Sequence, residues 1–124
     1  MESKLSFGYV AKHSENFIEL TIYEETEVKQ EHAIEINSLF SEIMTKPFVV
    51  LANVSHQCFF EFKAAFKIGN SHLQKKTAIL AYGSHLEESL KTVKGIQKIS
   101  NPNKLVQVFN NREEALQWLN ITKP

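Results

Sequence analysis

Apolar and polar residues alternate along "KLSFGYVAK" (4–12) and again along "FIELTIY" (17–23), the period of strands with one buried face. The short polar stretch "HSEN" between them predicts an antiparallel hairpin. The period then changes. Through "VKQEHAIEINSLFSEIM" (28–44), Ala33, Ile36, Phe40 and Ile43 recur at spacings of three and four, which makes one apolar helical stripe with charges opposite. Lys46 precedes Pro47, and the residue before a proline disfavours the α region, so the helix stops there.

Three nearly continuous apolar runs follow: "FVVLANV" (48–54), "KTAILAY" (76–82) and "KLVQVF" (104–109). Each reads as a central strand covered on both faces. Between the last two, "SHLEESLKTVKG" (84–95) opens with a capping-box pattern, Ser84 with Glu87, and closes at Gly95. Its buried stripe is Leu86, Leu90 and Val93. In "NNREEALQWLN", Asn111 is the expected N-cap, with Glu113 and Glu114 in the first turn where the helix dipole favours negative charge. Ala115, Leu116 and Leu119 face inward, and Trp118 covers the edge of the core. The segment "QCFFEFKAAFKIG" (57–69) fits two periods. Phe60 and Phe62 alternate with charges, whereas Phe59, Phe62 and Phe66 fit a helix. The Ala-Ala pair, Gly69 as a stop and the crossover that parallel pairing requires favour the helix.

These elements predict one α/β domain over 1–124, in the order β-β-α-β-α-β-α-β-α. The last three strands are parallel, joined by right-handed crossovers, and the opening hairpin makes the sheet mixed.

Composition narrows the function classes. Fourteen basic residues balance fourteen acidic ones, so no basic field exists to attract nucleic acid. A hydrophobic fraction of 43% argues against disorder. A single cysteine, Cys58, excludes an internal disulfide and fits a reducing compartment. "MESKLSFGYVAKHSENF" holds no apolar stretch of signal-peptide length, and "FVVLA" (48–52) is far short of a membrane span. A cytoplasmic location without stable membrane insertion is expected.

Ligands of open α/β sheets gather at the C-terminal ends of the strands. Two such ends are polar, "VSHQC" and "AYGSHLEE"; if their strands are neighbours, Ser55, His56, Cys58, Tyr82, Ser84 and His85 share one rim, the candidate binding site. Cys58 with His56 or His85 has the elements of a thiolate–imidazole pair. No third orienting residue accompanies them, and a small buried apolar cysteine explains Cys58 better, so no enzyme is expected. Among the five histidines no two stand four apart on one helix, and His56 with Cys58 supplies only half of a structural zinc set; no metal or cofactor is expected. Tyr82-Gly83-Ser84-His85 leads into a helix N-terminus, a general anion-attracting feature. Four of the nine phenylalanines lie between 59 and 66, and Phe59 and Phe60 are the candidate interaction surface.

"KTAILAYGSHLEESLKTVKGI" and "NPNKLVQVFNNREEALQWL" resemble small SpoIIAA-like, STAS-type domains, and most closely the Bacteroidetes STAS/SEC14-like family of unknown function. "FIELTIYEETEVKQEHAIEI" is similar to that group's second strand, acidic turn and first helix, and "PFVVLANVS" to its third strand. The resemblance covers about residues 5–121 and implies a five-stranded mixed sheet with four helices. Classical STAS antagonists carry a phosphorylated serine after the third strand, in an Asp-Ser-Ser-Gly-like context. Here "NVSHQCFFEF" has neither the Asp-Ser pair nor the glycine, so the acceptor role is not carried over to Ser55. Relatives often cap the first helix with Ser or Thr; "EVKQEH" has no such cap. The expected function is a non-enzymatic interaction module, acting as a homodimer or on a regulatory protein partner. The alternative is a small-ligand carrier, of a lipid or a nucleotide, since larger SpoIIAA-like relatives resemble lipid-binding Sec14 domains and the phenylalanine-rich second helix would line an apolar pocket.

Overall fold

The computed structural model describes residues 2–23, 26–53, 58–60, 73–81 and 105–121, with backbone only at 26–28, 58–60 and 105. In chain order the elements are β1 (Glu2–Leu5), β2 (Gly8–Ser14), β3 (Phe17–Ile22), β4 (Thr26–Val28), α1 (Gln30–Ile43), β5 (Phe48–Asn53), β6 (Cys58–Phe60), β7 (Gln74–Leu80), β8 (Leu105–Phe109) and α2 (Arg112–Trp118). The main sheet runs β1-β2-β3-β5-β7-β8, and β4 pairs with β6 separately. β1, β2 and β3 are antiparallel neighbours, and β3, β5, β7 and β8 are all parallel. The predicted hairpin and the mixed sheet with its run of parallel strands are present.

Alternation along β3 divides the core. Ile18, Leu20 and Ile22 join Val10, Phe48 and Val50 beneath Ala33, Ile36, Phe40 and Met44 of α1 and its C-terminal cap. Phe17, on the other face, joins Leu51, Ala78 and Leu80 beneath Ala115, Leu116 and Leu119. Burying each large side chain contributes about 1.5–3 kcal/mol. Phe40 meets Phe48 edge-on, with centroids 5.8 Å apart and planes at 86°. The α1 stripe is therefore as its spacing predicts.

Both helices end on specific contacts. Lys29 carries no side-chain acceptor, but His32 Nδ1 accepts from the Lys29 backbone N–H at 2.9 Å, the reciprocal half of a capping box. The ring of His32 also lies 4.5 Å from that of Phe7. At the other end, Lys12 Nζ donates to the Ile43 carbonyl at 2.9 Å and satisfies one orphan acceptor. On α2, Asn111 Oδ1 accepts from the Glu114 N–H at 3.1 Å, as its N-cap position predicts. Asn120 takes φ 63°, and the Asn120 and Ile121 N–H groups reach back to Gln117 and Leu116 carbonyls, which forms a Schellman end.

Three expectations need correction. The strand predicted over 4–12 is two strands, because the chain reverses at Ser6–Phe7. Ser6 donates from both its N–H (2.8 Å) and its hydroxyl (2.7 Å) to the Glu35 carboxylate, tying the turn to α1. The predicted helix over 57–69 does not begin as a helix: Cys58, Phe59 and Phe60 form β6, in parallel with Thr26–Val28. The rest of that segment and the predicted helix over 84–95 lie outside the described residues. The sheet thus has six strands rather than five, a two-stranded sheet is added, and two helices are present among the described residues instead of the four expected.

The register gives a reason for β6. Phe17 faces Val49 and Thr21 faces Asn53; further along, Thr26 faces Cys58 and Val28 faces Phe60. The separation along the chain is the same in both pairs. β4 and β6 therefore resume the β3–β5 pairing in its own register, and a pre-existing neighbour outweighs the local helical pattern at 58–60. A second irregularity lies in β7. Phe48 faces Gln74 while Val49 faces Lys76, so Lys75 is an extra residue. That bulge turns Gln74 and Thr77 to one face, where Gln74 Nε2 donates to Thr77 Oγ1 at 2.6 Å.

Candidate functional site

β5 and β7 are parallel neighbours whose last paired residues are Asn53 and Leu80. The two polar segments singled out in the sequence therefore leave from adjacent strand ends, the condition for a shared rim. Ser55, His56, Tyr82, Ser84 and His85 themselves lie outside the described residues. For Cys58, Phe59 and Phe60 the backbone alone is described, in β6, so they stand on a strand that continues the β3–β5 pair. The placement of Phe59 and Phe60 in the first turn of a phenylalanine-rich helix is corrected accordingly.

Around that rim the described residues add groups the sequence reading did not select. Tyr23 follows β3, donates its N–H to the Phe7 carbonyl at 2.9 Å, and is 47% exposed. Its ring lies 6.4 Å from that of Tyr9. The "FIELTIY" alternation contained this signal, because Tyr23 falls on the same face as Glu19 and Thr21, opposite the α1 core.

Further along the same face is a charged cluster. Glu19 lies mid-strand in β3, between Ala11 of β2 and Leu51 of β5. Arg112, the first residue of α2 and the chain's only arginine, grips it with both guanidinium nitrogens at 2.8 Å. His13 Nε2 lies 3.0 Å from Glu19 Oε1, and its ring stacks on Phe17 with centroids 5.0 Å apart. Burial of Glu19 opposes its charge and is the largest single influence. Hydrogen bonds from Arg112 and His13, with electrostatic attraction to both, together outweigh it and hold the carboxyl below the usual carboxylate range. Both oxygens are engaged and the lowered pKa keeps the carboxylate ionised, so it acts as a clamp between β2, β3 and α2 rather than as a group poised to take a proton. Arginine suits the position because its planar fork matches the carboxylate.

At the opposite end of α2, Lys76 Nζ donates to the Trp118 carbonyl at 2.9 Å and lies 5.1 Å from the indole centroid. Trp118 is also 5.6 Å from Phe109, so it covers the core edge as predicted. Among the described residues no group of three or more His, Cys, Asp or Glu is placed to hold a metal ion. Among them, too, no helix is long and apolar enough to cross a membrane.

A parallel run β3-β5-β7-β8 behind an antiparallel hairpin, with helices on both faces, defines a SpoIIAA-like α/β fold of the STAS type. The chain is similar in structure to an uncharacterized protein of the DUF3478 family with a SpoIIAA-like fold from Shewanella loihica PV-4. The superposition has a TM-score of 0.56 at 17% identity and covers 94% of this chain and 98% of that one. At that identity the likeness concerns the fold. No known family profile matches the sequence. No curated protein matches it either.

Proposed function

We propose that this protein is a non-enzymatic STAS-like interaction module that works by associating with itself or with a regulatory protein partner. The observation that carries the reading is the SpoIIAA-like fold itself, whose likeness extends over 94% of this chain. The Glu19 cluster supports it: the most enclosed charged group among the described ion pairs is committed to holding α2 on the sheet. The rim above the β5 and β7 ends, with Ser55, His56, Cys58, Tyr82, Ser84 and His85, is the proposed recognition surface, and Phe59 and Phe60 supply its apolar part. A cytoplasmic setting belongs to the same proposal.

Size-exclusion chromatography with light scattering tests this reading, together with affinity capture from a native lysate. Self-association, or a defined protein partner whose binding is lost on substitution of the rim, is the expected result. A strictly monomeric protein that recovers no partner overturns it.

A further inference from the structure

We propose that β1 is the edge through which two copies of this chain pair, in one antiparallel register centred on Ser3, so that the dimer continues the six-stranded sheet across a two-fold axis. The inference rests on the interaction-module reading and names its partner and surface.

The direction of the β1 backbone follows from the turn. Leu5 and Gly8 face each other across the two residues Ser6 and Phe7, and only a pair that exchanges both main-chain hydrogen bonds can close so short a loop. Hydrogen-bonding direction alternates along a strand, so Leu5 and Ser3 turn their N–H and C=O toward β2. Glu2 and Lys4 turn theirs outward. Among the described residues β1 is the last strand on its side of the sheet, and both Glu2 and Lys4 are exposed.

Side-chain charge then selects the register. Identical strands related by a two-fold axis within a sheet pair antiparallel, and outward-facing residues must meet outward-facing residues. Centring on Glu2 sets two glutamates opposite each other, and centring on Lys4 sets two lysines opposite each other. Both are repulsive. Centring on Ser3 places Glu2 of each copy opposite Lys4 of the partner subunit, and each such pair exchanges both main-chain hydrogen bonds. It also joins opposite charges on one face of the sheet. A lysine on an edge strand discourages pairing with an arbitrary apolar strand, so the same two charges that accept a second copy reject other strands.

Sedimentation velocity of the full chain over a concentration series tests the proposal, with circular dichroism to show that each variant is folded. The wild type is expected to show a concentration-dependent dimer, weakened by added salt. Glu2→Lys or Lys4→Glu alone places like charges opposite each other twice in the dimer and should raise its dissociation constant about tenfold. The double variant, Glu2→Lys with Lys4→Glu, exchanges the two charges and should restore the wild-type constant. A dimer indifferent to the single substitutions overturns the β1 edge but leaves the interaction reading standing. A monomer at every concentration also overturns it, and if no other partner is captured both readings fall.

Discussion

Arg112 and Glu19 stand 93 residues apart in the chain and meet through two hydrogen bonds of 2.8 Å each. This contact fastens the C-terminal helix to the middle of the sheet. Arg112→Ala leaves the Glu19 carboxylate, 13% exposed, with His13 as its remaining described partner. Arg112 is itself 38% exposed, so the full penalty of a broken buried pair does not apply. A loss of about 1–3 kcal/mol in urea unfolding is expected. Arg112→Lys should recover only part of it, since the fork is lost while the charge is kept.

The same clamp makes stability depend on acid. The folded-state pKa of Glu19 lies below its unfolded value, so between the two the unfolded chain binds more protons. The stabilisation is fully present above the unfolded pKa and is lost as pH falls through the folded one. Unfolding free energy measured from neutral pH down into the acid range should therefore fall more steeply for the wild type than for Glu19→Gln. Parallel curves for the two proteins would show that the carboxylate is not held ionised by the fold.

Gly8 is buried opposite Ile22, where a side chain would collide with the Thr21 carbonyl oxygen. That neighbour is backbone inside a strand and cannot swing away. Gly8→Ala is expected to cost about 1–3 kcal/mol, read as a lower midpoint in thermal or urea unfolding.

Asn120 occupies the left-handed region that ends α2. Asn120→Ala places a less tolerant residue there and should destabilise by about 1 kcal/mol, whereas Asn120→Gly should be neutral or slightly stabilising. An alanine variant as stable as wild type would show that the Schellman end contributes nothing.

Local signals made much of this fold legible. The Ala33–Ile36–Phe40 stripe, the apolar runs of β5, β7 and β8, and the Asn111 cap all depend on residues close in sequence, and the structure has them. What was missed depends on distant partners. Cys58–Phe60 is a strand because Thr26–Val28 lies alongside in the register of β3 and β5, and no window around residue 58 contains that fact. Glu19 looked like an ordinary solvent-facing position in an alternating strand until α2 brought Arg112 over it. The Ser6–Phe7 reversal was hidden because Leu5, Phe7 and Tyr9 keep a strand-like alternation through the turn. Of the candidate rim, the two apolar runs and their polar ends were legible, but the adjacency of β5 and β7 was only the condition for a shared rim; the structure supplies it by making them parallel neighbours.

Native mass spectrometry of freshly purified protein tests the central claim most directly. The interaction-module account predicts ions at whole multiples of the chain mass, or of the chain with a protein partner, and no retained small molecule. A monomer carrying a stoichiometric lipid or nucleotide would contradict it and establish the carrier reading in its place.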